Sequence, residues 1–259
     1  SPSEPMQPPS RPATSTAQRP IRTDLTAARP LKVMAAMGTP NCGAPMSGIM
    51  SGLGATSKRD VPSRRGPAIV PLSATRHPMS FAVVDGRHIE YAAIPGDPGS
   101  GPTLVFLHEG LGSVALWRDF PRKVARRINA PAVVYSRFGY GKSDGLEAPR
   151  TPRFMHEEAL EVLPRLLDQL RIDQPVLIGH SDGASIALIH AAAAARPVRG
   201  VVCLAPHIFV EPVCVQSIAK IRQSYFETDL RDRLANHHTR VDDAFLGSAR
   251  ISVHPAILA

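Results

Sequence analysis

Cysteine is scarce in this chain: three in 259 residues, at Cys42, Cys203 and Cys214. No disulfide framework and no paired zinc spacing can be read from them, so a reducing compartment is the default. Long apolar runs are also missing. Residues 184–195 come nearest, but they fall short of the about eighteen residues of a membrane span and include His190. Acidic residues are few in one region only. Residues 1–77 hold ten Lys or Arg against three acids, Glu4, Asp24 and Asp60, whereas the other twenty basic residues face nineteen acids. A near-neutral body argues against a nucleic-acid-binding domain, which needs a basic face for phosphates.

The basic leader also concentrates proline, with twelve of the 26 prolines in residues 1–77, several in Arg-Pro pairs. With few large apolar residues it cannot bury enough surface to offset chain entropy. Residues 1–78 are therefore expected to be a disordered Pro/Arg-rich leader, with Met79 as the natural start. The default location is cytoplasmic, although the leader's composition is also that of an organellar transit peptide; Arg64-Arg65 lacks the apolar core of a twin-arginine signal.

From Phe81 the pattern changes. Two β-periodic segments meet at Asp85-Gly86, a strong hairpin signal. Short apolar runs at 103–107, 132–135, 175–178 and 200–204 fit buried parallel strands, and helical periodicity falls between them. The spacing predicts one helix capped by Ser113, with Leu116, Trp117, Phe120, Val124 and Ile128 on its buried face and a kink at Pro121. A second covers 154–170, with Leu160, Leu163, Leu167 and Leu170 as its apolar stripe, Glu157, Glu158 and Glu161 off it, and a kink or break at Pro164. The implied fold class is α/β, a mostly parallel sheet with helices on both faces. Residues 79–206 are expected to form this core and 207–259 an incomplete helical cap.

The chemistry centres on Gly179-His180-Ser181-Asp182-Gly183, set between a strand and an Ala-rich helix. Glycine flanks the serine because a chain reversing this tightly leaves no room for a Cβ. Ser181 is the candidate nucleophile. Acyl transfer also needs oxyanion donors, a base and an acid to orient the base. The N–H of Asp182 and a second from Gly110, with Leu111 in reserve, are the candidate donors. Glu109, Trp117 and His207 are candidate pocket residues, Trp117 having a core position as its alternative. Glu211, Asp229, Asp232, Asp242 and Asp243 remain as acids, and His207, His237, His238 and His254 as bases, with none singled out.

Two other motifs carry less. Gly141-Lys142-Ser143 resembles the end of a phosphate loop, but position 136 is Ser136 where that motif needs glycine. His237-His238 near Asp242-Asp243 has no ligand spacing and is expected to be an exposed polar helix end. Neither a metal nor a cofactor is called for.

The hairpin, LVFLHEGLGS, YSRFGYGKSDG and VLIGHSDG together resemble the α/β-hydrolase superfamily over about residues 81–204. That resemblance implies an α/β-hydrolase fold, an acyl-enzyme on Ser181, a small-molecule ester or acyl substrate, and a cap after Leu204. It also implies later strands bearing an acid and a histidine. The chain reads as lacking those strands, so impaired turnover is expected. The alternative is a non-catalytic binding protein on the same fold; nothing in the sequence sets an oligomeric state.

Overall fold

The structure, a computed structural model, describes residues 32–36, 79–97, 99 and 101–252. Among these residues, seven strands form one sheet in the order β1-β7-β6-β4-β5-β3-β2. The hairpin of β2 (Ser80–Val84) and β3 (Arg87–Ile94) closes through Asp85 at φ 52° and Gly86 at φ 75°, the paired positive φ values that a two-residue turn between twisted strands requires. Strand β3 runs antiparallel to β5 (Ala132–Tyr135). The others, β4 (Leu104–Leu107), β6 (Val176–His180), β7 (Gly200–Leu204) and β1 (Lys32–Ala36), join β5 in parallel pairings. All the parallel strands therefore end on one edge of the sheet.

Strand β1 corrects the leader reading for five residues. It lies within residues 1–78 yet pairs with β7, from Lys32 opposite Gly200 to Ala36 opposite Leu204. The rest of the expected leader lies outside the described residues.

Alternate side chains of each strand serve opposite faces. Leu104, Phe106, Ala132, Val134 and Ile178 pack with Trp117 and Ala125 beneath α1 (Phe120–Ile128). Val105, Leu107, Val133, Tyr135, Leu177 and Val201 pack with Leu163, Leu166 and Leu167 of α3 (Leu163–Gln169) and Ala184, Ile186 and Ala187 of α4 (Asp182–Ala193). Burial on both faces is why these strands read as continuous apolar runs.

Local details depart from expectation in both predicted helices. Ser113 is buried and caps nothing; a single 3-10 turn, Ala115–Trp117, precedes α1, and Arg118 at φ 51° separates the two. Pro121 sits in the first turn of α1, where its missing N–H has no partner to lose, so it starts the helix instead of kinking it. Ile128 is exposed. Trp117 takes its core alternative: only 3% exposed, it stacks on Phe120 at 5.7 Å and meets the Phe106 ring edge-on at 5.4 Å. In the second helix, Pro164 cannot donate to the Leu160 carbonyl, and the turn Glu158–Val162 widens to π geometry between α2 (Phe154–Glu157) and α3. The altered winding carries Glu158 inward. Expected off the buried stripe, it is 4% exposed and accepts a hydrogen bond from the Tyr135 hydroxyl at 2.9 Å.

After β7 come α5 (Pro212–Glu227), α6 (Leu230–Ala235) and α7 (Val241–Ser252). Tyr225, Val241 and Phe245 form their shared apolar centre, and Leu111 from the loop after β4 packs against it. The helical segment thus lies over the edge where the parallel strands end. His238 reinforces this contact, with Nδ1 accepting from Gly141 N–H and Nε2 donating to the Leu111 carbonyl, both at 3.0 Å. It is buried, which corrects the reading of His237-His238 as an exposed helix end.

Three buried histidines among the described residues give the fold an acid sensitivity. Burial lowers the pKa of His108, His190 and His238 below the usual 6.5, and the Arg137 charge lowers His108 further. Each depressed value contributes stability that is fully present above the unfolded pKa and lost as pH falls toward the folded one. Unfolding free energy is therefore expected to decline below about pH 6.5, with up to about 1.4 kcal/mol lost per pH unit per histidine. Burial raises the Glu158 pKa, so this group acts in the opposite sense, gaining stability as pH falls through its folded value toward 4.5. Thermal unfolding followed from pH 8 to pH 5.5 checks the decline; a flat or rising melting temperature contradicts it.

Candidate active site

Ser181 is the junction between β6 and α4, at φ 52° and ψ −118°. A non-glycine residue in such a conformation costs of order 1–3 kcal/mol and persists only where its surroundings over-determine it. Here they do. Its N–H donates to the Leu204 carbonyl at 2.9 Å, and its own carbonyl accepts from Ala184 and Ser185 at 2.9 and 3.1 Å. A Cβ on Gly179 would stand 2.3 Å from the Gly183 oxygen, and one on Gly183 would stand 2.1 Å from the Leu107 oxygen. Both glycines are thus fixed by backbone contact. Helix α4 begins pressed against the end of β4, which brings the loop His108–Leu111 beside it.

The Ser181 hydroxyl does not point into empty space. Its Oγ lies 2.7 Å from His207 Nε2. The return of the chain from β7 is sharp, with Ala205 at φ 50°, and Ser185 holds the result. Ser185, one helical turn beyond Ser181, accepts from His207 N–H at 2.9 Å and donates to the His207 carbonyl at 2.8 Å. With its proton on Nδ1, His207 accepts from the Ser181 hydroxyl. Among the described residues no carboxylate reaches that Nδ1. Glu211 lies at the start of α5 with its carboxyl 4.0 Å from Cys214 Sγ, Asp242 is held by Arg231 and Tyr225, and Asp229 pairs with Arg233.

The backbone N–H groups of Gly110, Leu111 and Asp182 carry no hydrogen bond to any described residue. Asp182 opens α4, where the first amides of a helix lack intrahelical partners and face an anion favourably. Below the loop lies Arg137, fully buried, which donates to the His108 and Glu109 carbonyls at 2.8 and 3.1 Å and sits 3.7 Å from the Asp182 carboxylate. Glu109 itself approaches His180 Nδ1 at 3.6 Å. Burial alone would raise the Glu109 carboxyl, but the close approach of His180 and the Arg137 charge hold it below its ordinary value. Among the described residues no group of three or more His, Cys, Asp or Glu side chains could hold a metal, and no helix is long and apolar enough to cross a membrane.

Of the residues singled out in the sequence, Ser181, Asp182, Gly110, Leu111, Glu109 and His207 converge at one edge of the sheet. Trp117 does not, because it is consumed by the core. Arg137 and Ser185 were missed. Arg137 stands two residues beyond β5, on the edge that carries Ser181, and this topological position was the available signal.

The chain belongs to the alpha/beta hydrolase fold family, whose sequence model matches residues 102–256 and so more than half of it. It is 30% identical over 110 residues to the sn-1-specific diacylglycerol lipase ABHD11 of Danio rerio, a match covering 42% of this chain and 30% of the relative. The chain therefore spans less than a third of that relative's length. In structure it is similar to a carboxylesterase from the ammonia-oxidizing thaumarchaeon Nitrososphaera gargenis, at TM-score 0.54 and 15% identity over 67% of this chain and 71% of the other. It is also similar to MGS-M2, an alpha/beta hydrolase enzyme from a Medee basin deep-sea metagenome library, at TM-score 0.51 and 19% identity over 69% and 74% of the two chains.

Proposed function

We propose that this protein is a serine hydrolase acting on a carboxylic ester or related acyl bond through an acyl-enzyme on Ser181. The observation that carries the reading is a strained serine at a strand-to-helix turn whose Oγ meets His207 Nε2 at 2.7 Å. The relative that is 30% identical is named a diacylglycerol lipase, which favours an ester as the substrate class.

In this reading His207 Nε2 takes the hydroxyl proton as Ser181 Oγ bonds to the substrate carbonyl carbon. The carbonyl π electrons move onto oxygen, where Asp182 N–H and Gly110 N–H, with Leu111 as reserve, stabilise the negative charge. Collapse of the tetrahedral intermediate expels the alcohol oxygen, which takes the proton from His207. Water then repeats the sequence on the acyl-enzyme and releases the acid. Because no carboxylate among the described residues orients His207, turnover by these residues alone is expected to fall below that of a full triad by up to about 10⁴-fold, the loss associated with a mis-set histidine tautomer.

A second reading, a non-catalytic binding protein, draws on a cavity of about 590 Å³ lined by Glu90, Val134, Lys142 and His238, among others, which Ser181 does not line. A fluorophosphonate probe separates the two. Stoichiometric labelling that Ser181→Ala abolishes, together with hydrolysis of an activated ester lost in the same variant, is the expected result. A Ser181 that stays unlabelled in a protein that hydrolyses no ester favours the binding reading, and hydrolysis that survives Ser181→Ala overturns the acyl-enzyme on Ser181.

A further inference from the structure

A guanidinium with no exposure to water is costly to bury unless something else in the fold needs it there. Arg137 is 0% exposed. Its Nη1 donates to the His108 carbonyl and its Nη2 to the Glu109 carbonyl, at 2.8 and 3.1 Å, and its Cζ lies 5.0 Å from the centre of the Tyr140 ring. Its backbone joins the same arrangement. Arg137 N–H donates to His108 Nε2 at 3.1 Å, and His108 Nδ1–H donates to the Glu109 carbonyl at 2.6 Å. Arg137 therefore holds the Glu109 oxygen in two ways, once by the guanidinium directly and once through a histidine whose tautomer the Arg137 amide sets.

A trans peptide is planar, with its C=O and N–H pointing in opposite directions. Fixing the Glu109 oxygen fixes the direction of Gly110 N–H, because both belong to one peptide unit. The same guanidinium reaches the Asp182 carboxylate at 3.7 Å, on the residue that supplies the other donor. Gly112 N–H, bonded to the Glu109 oxygen at 3.0 Å, closes the loop tightly enough that its shape follows this one carbonyl.

We infer that Arg137 is a positioning residue for oxyanion stabilisation: it aims Gly110 N–H and ties the loop bearing it to the residue carrying the second donor, without touching substrate. The inference rests on the reading of Gly110 and Asp182 as oxyanion donors. A purely structural arginine would hold the loops together and lower every reaction of the site equally. A positioning arginine affects reactions in proportion to their need for strong N–H donation to the developing charge.

The discriminating experiment uses two activated substrates that differ only in carbonyl oxygen against thiocarbonyl sulfur, since sulfur is the poorer acceptor. Rates of Ser181 acylation are measured for the wild type, Arg137→Lys and Arg137→Met, with thermal unfolding to establish that each variant is folded. The wild type is expected to prefer the oxygen ester by about 10²-fold or more, the scale of one oxyanion donor. In Arg137→Met that preference drops by about 10-fold or more, almost wholly through the oxygen ester, and Arg137→Lys is intermediate. Where Arg137→Met does not fold, Arg137→Lys, which keeps the buried charge but not the fork of donors, carries the comparison. Equal losses on both substrates, or an unchanged preference in a folded variant, overturn the inference while leaving the donor reading intact. A wild type without preference overturns both.

Discussion

Replacing His207 with alanine is expected to lower kcat/KM for an activated ester by about 10²–10⁴-fold, the contribution typical of a positioned general base. The fall should lie almost entirely in kcat, because His207 contacts Ser181 Oγ and in the proposed mechanism receives its proton. The side chain is exposed, so added imidazole has access to the vacated space and is expected to restore part of the rate. Rescue separates a lost base from a distorted site, since a collapsed turn would gain nothing from imidazole. An alanine variant with wild-type kcat shows that the proton goes elsewhere, and the 2.7 Å contact is then only a resting hydrogen bond. The backbone grip of Ser185 on His207 does not depend on the ring, so the variant should keep the chain path after β7.

How much of this was legible in the sequence depends on whether a feature was local. The hairpin at Asp85-Gly86 and the buried strands at 104–107 and 132–135 follow from turn chemistry and apolar runs that neighbouring residues determine. Ser181 was legible for the same reason, because both glycines that permit its conformation stand two residues away. His207 was visible only as a residue on the right edge of the sheet. What brings its ring to Ser181 is a positive φ at Ala205 and a clamp from Ser185, twenty-two residues earlier in the chain, and neither has a signature in composition or spacing. Arg137 shows the same limit more strongly. Arginine two residues past a strand ordinarily reads as a solvated loop residue, and its burial arises from carbonyls supplied by a loop about thirty residues earlier. The π turn before Pro164 lies between these cases: proline announced a disturbance, but only the winding of the helix decided that Glu158 would turn inward to Tyr135.

Adding one methyl group at Gly183 is expected to be among the most damaging changes available to the fold. A Cβ there would stand 2.1 Å from the Leu107 oxygen, 2.5 Å from its carbonyl carbon and 2.7 Å from the His108 oxygen, all backbone atoms. Leu107 is paired in the sheet to Tyr135 on one side and Gly179 on the other, so it cannot withdraw without disturbing both neighbouring strands. Helix α4 must move instead, carrying Asp182 N–H and the Ser181 turn with it. Overpacking typically costs about 1–3 kcal/mol and occasionally more, and contact with immovable backbone places Gly183→Ala at about 3 kcal/mol or above. Gly86→Ala is the matching control. Its φ of 75° strains an alanine, but nothing lies within 4 Å of the new Cβ, so only about 1–2 kcal/mol of conformational cost applies. Urea unfolding of the two variants, with fluorophosphonate labelling of each, should show the larger loss of stability and the loss of labelling together in Gly183→Ala. Equal destabilisation, or full labelling in Gly183→Ala, would mean that the junction of α4 with β4 yields where its geometry says it cannot.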